Sequence, residues 1–400
     1  MMNQDRRTFL TRTGMGLLAA MAALRLDHNL LDSPIAYAHP NEPTSRSAQT
    51  RPANEPIAVV IDSDPGVDDA SALVWLLSQQ MYQFDLLGIC TVAGNTSLEN
   101  ATQNVLTVLD VVAPGRPIPV VMGAEKPLSG KLSHIPKLIH GPDGLWFSQR
   151  RYPIQQLPNN TPLFYRSMAE SRPGFTVVAL GPLTNLAEAV RRFPDTADGI
   201  GRIVWLGGAK CGGNHTPVSE FNAWQDPEAA EIVLGSGIPV TMVPLDTFTG
   251  FVVTPEDVQR LESGNAGGRF LVQPLRGLLG AFERLTGQAL ANLPDVIAMM
   301  LAFDSSLAQT TQDALVKIVA DRSLTHGQTI VALTFIEHLT LIASDAELSA
   351  LVDRAFSDPS FDLFAAFLAI VAREPANVQW VSKVDAAAVR DRFLQALTAS

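Results

Sequence analysis

The residues most capable of chemistry are four aspartates that lie close together in the first apolar part of the chain. Asp62, Asp64, Asp68 and Asp69 fall within eight consecutive positions, and Pro65-Gly66 separates the two pairs. Carboxylates this close repel one another, and at a strand end facing a cleft that repulsion requires a cation. Oxygen ligands around a Pro-Gly turn suit Ca²⁺, which takes about 6–8 oxygens. A tight turn with one or two acids at the start of a helix is the alternative, but it does not account for four.

Short apolar runs alternate with helical patterns around these acids, which predicts an α/β fold with an open, mainly parallel sheet and flanking helices. Ligands bind such sheets beyond the carboxyl ends of the strands, so the residues after each strand matter most. Those residues are Asp62 and Asp64, Gly94-Asn95, Gly181, Gly207-Gly208 and Asp246. The predicted strands are 57–61, 86–92, 118–122, 176–180, 203–206, 240–245 and 315–319. The predicted helices between them are 67–79, 97–112, 183–193 and 226–235.

Composition limits the kinds of partner. The chain has 400 residues, of which 46% are hydrophobic and 17% charged, enough to build a sizeable core. Its formal net charge is -11. Nucleic-acid binding requires clustered Lys and Arg, so we expect a small-molecule ligand and no nucleic acid.

The first 38 residues carry the three parts of an export signal in order. Arg6-Arg7 lies in the polar start and resembles the twin-arginine type, an apolar run follows from Gly14 to Leu24, and Ala36-Tyr37-Ala38 resembles a cleavage site. The apolar run is too short to span a hydrocarbon core of about 30 Å. We therefore expect an exported, periplasmic protein with a signal peptide at 1–38, a flexible leader at 39–56, and no membrane span after signal removal.

Residues 57–400 are predicted to form one domain that becomes mainly helical beyond about residue 250. The segment 336–373 has the apolar spacing of an amphipathic helix and is interpreted as a helical insertion. Cys90 and Cys211 are too few for a disulfide scaffold, and two buried thiols are favoured over a bridge.

The motifs together resemble the inosine-uridine-preferring nucleoside hydrolase family, whose first strand ends in D-x-D-P-G-x-D-D-A. The resemblance covers most of the chain after the leader and implies a Rossmann-like fold with a helical C-terminal part. The further motifs that carry it are Val92 to Asn95, Ile139 to Leu145, Leu180 to Asn185, Asn214 with Glu220-Phe221-Asn222, Asp226 to Ala230, and Asn377 to Leu394.

The resemblance implies a site residue by residue. Asp64 would ligate Ca²⁺ and act as general base on the attacking water; Asp69, the Leu180 carbonyl and Asp295 would complete the protein ligands. The implied ribose-binding residues are Asp68, Asn95, Asn214, Glu220 and Asn222. The implied reaction is hydrolysis of the N-glycosidic bond of ribonucleosides, through a ribosyl cation that carboxylates stabilise. The family usually forms homo-oligomers, so a dimer or tetramer is expected.

The chain differs from the family pattern at the residue that would protonate the leaving base. The family commonly has His immediately before the last metal aspartate, where this chain has Pro294. His140 is the best substitute as the leaving-group acid, and His215 is a weaker one. Alternatively, Trp146 or Trp224 could stack on a purine and raise its basicity, although ordinary core packing is the favoured interpretation of either residue. Purine nucleosides are therefore expected to be slightly favoured.

Two other functions fit part of the pattern. An exported nucleoside- or sugar-binding protein without turnover would explain the missing His, but pure binding does not need a base beside a metal-bound water. A phosphatase of the haloacid dehalogenase type also begins with D-x-D after its first strand. Such enzymes do not place Pro65-Gly66 after the second Asp, and their chemistry has no use for Glu220-Phe221-Asn222.

Overall fold

The computed structural model describes residues 56–130, 136–147, 151–248 and 251–399. The contacts divide the chain into two units, and the larger contains the described residues of 44–311, 317–330 and 379–400. Its strands are β1 (Ile57–Ser63), β2 (Phe84–Thr91), β3 (Val120–Met122), β4 (Phe175–Ala179), β5 (Ile200–Leu206), β6 (Val240–Val243), β7 (Val252–Val253) and β8 (Ala291–Asn292). Three further strands, β9 (Ala308–Ile318), β10 (Thr329–Ala332) and β11 (Val378–Val384), have residues in both units.

The helices of the larger unit fall mostly between those strands. They are α1 (Val67–Ser78), α2 (Leu98–Val112), α3 (Lys137–His140), α4 (Thr161–Ser171), α5 (Thr184–Arg192), α6 (Thr196–Gly199), α7 (Phe221–Gln225), α8 (Pro227–Leu234), α9 (Pro255–Leu261), α10 (Ala266–Thr286), α11 (Pro294–Phe303) and α15 (Ala386–Thr398). Single 3-10 turns lie at Ile154–Gln156, Leu245–Thr247 and Ser305–Leu307.

The central sheet of the larger unit places β1 among its inner strands. The order β6-β5-β4-β1-β2-β3 is parallel throughout, and β11 lies beside β6. The predicted α/β fold with a mainly parallel sheet is therefore confirmed. Because all six parallel strands end at the same edge, the residues after β1, β2, β4 and β5 meet there.

Buried apolar residues of β1 and of α1 hold that edge of the sheet in place. Val59, Val60 and Ile61 are fully buried, as expected for an inner parallel strand. Leu73 and Trp75 of α1 are also fully buried. Burying one such side chain stabilises the fold by about 1.5–3 kcal/mol, so the strand end that carries Asp62 is anchored by its own hydrophobic run.

The smaller unit contains the described residues 312–316 and 331–378. Its helices are α12 (Phe335–Ile342), α13 (Asp345–Ser357) and α14 (Leu363–Val371). They enclose a small core that includes Phe335, Leu339 and Phe367. The predicted helical insertion at 336–373 lies within this unit, and its status as an insertion into one domain stays a prediction.

The remaining predictions concern the N-terminal region, the two cysteines and membrane-spanning helices. The predicted signal peptide and the leader, apart from residue 56, lie outside the described residues. Cys90 is buried and Cys211 is exposed, and both are free thiols, so the prediction of two buried thiols is wrong for Cys211. Cys211 lies in the polar loop after β5, where no apolar strand surrounds it. Within the described ranges, no helix combines the length and the apolar character needed to cross a membrane.

Candidate active site

Asp64 is the first residue beyond β1, and it is fully buried. Its Oδ2 accepts a 2.6 Å hydrogen bond from the backbone N–H of Asn95, which follows β2. Gly94 and Gly181 close on its two sides, since a Cβ on Gly94 would lie 2.0 Å from Oδ2 and one on Gly181 would lie 2.5 Å from Oδ1. The glycines that follow β2 and β4 are therefore required for close approach to this carboxylate.

Asp69 lies in the first turn of α1 and is fully buried. Its Oδ1 accepts 2.6 Å from the Ser63 hydroxyl. Its Oδ2 accepts from the Gly66 backbone N–H at 3.1 Å and from the Asn95 side-chain amide at 2.9 Å. Asn95 thus contacts both Asp64 and Asp69, and it joins the end of β2 to the acidic turn.

Asp295 reaches the same place from a distant part of the sequence. It lies in the first turn of α11, directly after Pro294, and is almost fully buried. Asp68, Asp69 and Asp295 each offer a carboxylate oxygen within 4.8 Å of the others. We call Asp64, Asp68, Asp69 and Asp295 the acid cluster.

Burial and mutual repulsion disfavour the charged forms of these acids. The pKa of Asp64 is raised well above its usual range by burial and by the charge of Asp69. Burial, together with the charge of Asp68, raises the pKa of Asp69 to about 7. The pKa of Asp295 is raised well above its usual range by burial and by the charges of Asp68 and Asp69. The hydrogen bonds from Asn95, Ser63 and Gly66 favour the charged forms, but burial and the neighbouring charges outweigh them.

The acid cluster fits a bound cation. Asp64 Oδ1 and Asp295 Oδ1 are buried and, among the described residues, have no hydrogen-bond partner. Buried polar atoms without a partner are rare in proteins, and a carboxylate oxygen in that state is costly. Every ligand offered is an oxygen, which favours a hard cation such as Ca²⁺.

A second group of predicted residues lies beyond β4 and β5. The Asn222 side-chain amide donates 2.7 Å to the Leu180 carbonyl and 2.9 Å to the Leu206 carbonyl, while its Oδ1 is buried and has no partner among the described residues. Leu180 precedes Gly181, which packs on Asp64. The structure therefore brings Asn222 and the Leu180 carbonyl to the edge of the acid cluster.

Glu220 and Asn214 hold the turn before α7. The Glu220 carboxylate accepts backbone N–H bonds from Gly208 at 2.9 Å, Asn222 at 3.0 Å and Ala223 at 3.1 Å. Burial raises the pKa of Glu220 to about 7, and these hydrogen bonds oppose the increase. Asn214 is exposed, and its Oδ1 accepts 2.8 Å from the Phe221 backbone N–H. Both side chains order the backbone of this turn, and Asn214 is the more exposed of the two.

His140 ends α3 and lies over the start of α1. It is buried, its Nδ1 accepts 3.2 Å from the Val67 backbone N–H, and the same atom lies 3.7 Å from Asp68 Oδ1. Burial lowers the pKa of His140, and the nearby charge of Asp68 only partly opposes this. A neutral His140 that accepts at Nδ1 carries its proton on Nε2.

The other candidates for contact with the leaving group have packing partners. Trp146 donates 2.7 Å from its indole N–H to the Ile139 carbonyl, and its ring lies against Gly277 of α10. The His215 ring stacks on Trp224 with 3.8 Å between the ring centroids. These contacts agree with the packing alternative for both tryptophans, and the leaving-group acid stays a prediction.

The structure also shows what sequence reasoning missed. Asp62 was grouped with the other three aspartates, but its carboxylate contacts Tyr165 and Asn185 instead. Ser63, the donor to Asp69, was not singled out; its place between two aspartates at the end of a strand was the available signal.

Comparison with known proteins agrees with this geometry. The family model described as inosine-uridine preferring nucleoside hydrolase matches residues 59–391. A plant nucleoside hydrolase of known structure, the PpNRh1 enzyme, superposes with a TM-score of 0.71 at 28% identity, over 86% of this chain and 100% of that one.

Curated relatives lead to the same family. Probable uridine nucleosidase 2 of Arabidopsis thaliana is 35% identical over 68% of this chain and 85% of its own length. Uridine nucleosidase 1 of the same plant is 37% identical, but the match covers 53% of this chain and 62% of that protein, somewhat under two thirds of its length. The chain belongs to the inosine-uridine preferring nucleoside hydrolase family.

Proposed function

We propose that the protein hydrolyses the N-glycosidic bond of ribonucleosides, releasing ribose and free base, with Ca²⁺ held by the acid cluster. The observation that carries this proposal is a pair of buried oxygens, Asp64 Oδ1 and Asp295 Oδ1, that have no hydrogen-bond partner in the part of the chain that the structure describes. The names of the relatives, uridine nucleosidase and nucleoside hydrolase, support the reaction class.

The residues that would hold the cation are Asp64, Asp69, the Leu180 carbonyl and Asp295. When bound, Ca²⁺ neutralises the acids and lowers the pKa of the attacking water. Of these ligands, Asp69 is the most firmly oriented, because Ser63, Gly66 and Asn95 all donate to it.

Asp64 would act as the general base. Its Oδ2 is held by the Asn95 backbone N–H, and the carboxylate oriented in this way would take a proton from the attacking water. The water oxygen bonds to C1′ of the ribose as the bond from C1′ to the base nitrogen breaks, and the electron pair of that bond goes to the base. The remaining carboxylates stabilise the positive charge that develops on the ribosyl group.

Ribose hydroxyls would be held by Asp68, Asn95, Asn214, Glu220 and Asn222. Asn222 is the best placed of these, because its Oδ1 has no partner among the residues that the structure describes, while its amide donates to two carbonyls. Glu220 positions that turn and keeps lone pairs for a hydroxyl donor.

The departing base requires a proton, which the Nε2–H of His140 would supply because Pro294 cannot. A neutral imidazole is a weak acid, so bases that water can protonate should leave more readily. Purine nucleosides are therefore proposed to be slightly favoured. Two curated relatives are named uridine nucleosidases, so uridine is the necessary comparison.

Export and assembly belong to the same proposal. The Arg6-Arg7 pair and the apolar run after it support export to the periplasm through a twin-arginine signal. A homodimer or homotetramer is proposed from the family resemblance. Cell fractionation of the wild type and of the Arg6→Lys, Arg7→Lys double variant tests the proposed export. Light scattering of the purified protein tests the proposed homo-oligomer.

The activity is tested with purified protein and inosine, adenosine, guanosine, uridine and cytidine, by measuring free ribose and free base with and without a chelator. We expect ribose release that disappears with the chelator and in Asp64→Asn. The matched control is Asp391→Asn, which changes an exposed aspartate of α15 in the same way and should leave release unchanged.

Two results would contradict the proposal. Ribose release that persists in chelator would remove the role of the cation. Tight ribonucleoside binding without release of any base would favour the exported binding protein without turnover.

A further inference from the structure

Asp62 is a buried carboxylate that the proposed reaction does not use. It is the sixth residue of β1, two positions before Asp64, and is 2% exposed. Its Oδ2 accepts 2.7 Å from the Tyr165 hydroxyl of α4. The Asn185 amide donates to both of its oxygens, at 3.0 and 3.1 Å. Asp62 therefore has partners for both oxygens, unlike Asp64.

Asn185 connects Asp62 to three other parts of the larger unit. Besides Asp62, its amide donates 3.2 Å to the Thr91 carbonyl at the end of β2. Its Oδ1 accepts 2.8 Å from the Ala124 backbone N–H after β3 and 3.3 Å from the Thr161 hydroxyl of α4. Every donor and acceptor of this amide is in use, so its position is fixed from several directions.

The same two residues control the backbone that meets the acid cluster. Leu180 donates its backbone N–H to the Asp62 carbonyl at 2.8 Å. Asn185 lies in the first turn of α5, which begins at Thr184 directly after the Leu180-to-Leu183 loop. Gly181 of that loop packs on Asp64 Oδ1. The Asp62 backbone carbonyl holds Leu180 and the Asp62 carboxylate holds Asn185, so the segment from Leu180 to Asn185 is bonded to Asp62 at both ends.

We infer that Asp62 and Asn185 form a positioning pair that sets the spacing of Asp64 and the Leu180 carbonyl, and thereby the affinity of the cation site. The inference rests on the proposed function, because it assigns these two groups to the cation. Neither residue of the pair is a ligand or touches the substrate. Partners behind metal ligands typically affect metal affinity by about 10–100-fold.

A reciprocal exchange of residues 62 and 185 distinguishes the positioning role of the pair from simple packing. Asp62→Asn leaves one oxygen at position 62 to accept from the Asn185 amide, and in Asn185→Asp two carboxylates face one another, so each change weakens the pair. In the double variant the amide at position 62 donates to the carboxylate at 185. That carboxylate still accepts from Ala124 and Thr161, but one of its oxygens now lies against the Thr91 carbonyl, so the repair is partial.

The experiment is calorimetric titration of the metal-stripped protein with Ca²⁺, together with ribose release under saturating Ca²⁺. We expect each single variant to bind Ca²⁺ about tenfold more weakly or worse, and the double variant to recover part of that loss. Thermal unfolding in chelator, measured in parallel, identifies any variant that fails to fold.

Tyr165→Phe gives a milder version of the test, with Tyr82→Phe as its matched control. Both hydroxyls donate to an aspartate, Tyr165 to Asp62 at 2.7 Å and Tyr82 to Asp304 at 3.1 Å. Removing the Tyr165 hydroxyl should weaken Ca²⁺ binding several-fold, whereas removing the Tyr82 hydroxyl should leave it unchanged.

The outcomes distinguish this inference from the proposed function. If the wild-type protein releases ribose and binds Ca²⁺ while folded Asp62→Asn, Asn185→Asp and Tyr165→Phe all keep wild-type affinity, the positioning pair is overturned and the function stands. Equal loss in the single and double variants would also overturn the pair. If the wild-type protein binds no Ca²⁺, both the proposed function and the pair are overturned.

Discussion

The acid cluster and the turn that carries Glu220 bury carboxylates in opposite ways. Glu220 is buried, yet the backbone N–H groups of Gly208, Asn222 and Ala223 all donate to it. In the acid cluster, Asp64 and Asp295 each keep a buried oxygen that has no partner within the described residues. Burial raises the pKa in both regions, because it disfavours the charged form of any carboxylate.

The difference between the two regions shows which observation indicates that a carboxylate binds a cation. A raised pKa is common to the two regions, so it does not distinguish them. The two regions differ in their hydrogen bonds. The Glu220 carboxylate already accepts three backbone N–H groups, whereas Asp64 and Asp295 each keep one buried oxygen that no described residue contacts and that a cation would stabilise. Loss of an acid should therefore affect Ca²⁺ binding in the acid cluster and stability at the Glu220 turn.

The largest effect is expected at Asp295. Asp295→Asn removes one charged ligand from the acid cluster, and Ca²⁺ affinity should fall more than about 100-fold, beyond the range typical of partners behind the ligands. Calorimetric titration of the metal-stripped variant measures this, with Asp391→Asn as the control. Affinity within tenfold of the wild-type value would mean that Asp295 is not a ligand.

Glu220→Ala should have its main effect on stability. Three backbone N–H groups lose their acceptor, and each buried donor left unpaired costs about 1–3 kcal/mol, of which water recovers a part. We expect the free energy of unfolding in chelator to fall by about 2 kcal/mol, measured by denaturant titration, while Ca²⁺ affinity stays near the wild-type value. A large loss of Ca²⁺ affinity with unchanged stability would reverse the contrast between the two regions.

Gly181→Ala tests the close approach to Asp64. The new Cβ would lie 2.5 Å from Asp64 Oδ1, so the carboxylate must move. Ribose release should fall by about 10- to 100-fold, because a displacement of about 1 Å can cost about 100-fold in rate. Gly280→Ala is the matched control, because its Cβ would meet nothing closer than 3.6 Å in the middle of α10 and should leave release unchanged. Equal activity in the two variants would show that Asp64 tolerates displacement.

The smallest effect concerns the protein without Ca²⁺. The pKa of Asp295 is raised in the folded state, so ionisation destabilises the fold as pH rises above the unfolded value near 3.8. In chelator, Asp295→Asn should therefore be more stable than the wild type at pH 8 and no more stable at pH 3. Unfolding curves at the two pH values measure this, and a gain that is larger at pH 3 would contradict the repulsion argument.

Most of the sheet could be predicted because its strands are unbroken apolar runs. The predicted strand 57–61 lies inside β1, and the predicted helix 67–79 is one residue longer than α1. β9 was predicted at 315–319 but runs from Ala308 to Ile318, since its first residues are polar and mostly exposed. The length of α10 was not predicted either, because Pro274 lies inside it and its packing partners are remote in sequence.

The candidate site was predictable where the spacing of like residues carried the chemistry. The aspartates after β1 could be found because their repulsion requires an explanation. The separate environment of Asp62 could not, since it depends on Tyr165 and Asn185, which are 103 and 123 residues away. The turn-capping role of Glu220 could not be predicted either. Almost every residue has a backbone N–H, so the sequence does not show which of them donate to Glu220.

Calcium-dependent cleavage at the acid cluster is the claim on which the other conclusions rest. The decisive measurement is ribose release from inosine and from uridine by metal-stripped protein as Ca²⁺ is returned. We predict no release before Ca²⁺ is added and a rise that saturates at one Ca²⁺ per chain. Release at the full rate in chelator, or no release at any Ca²⁺ concentration, would contradict it.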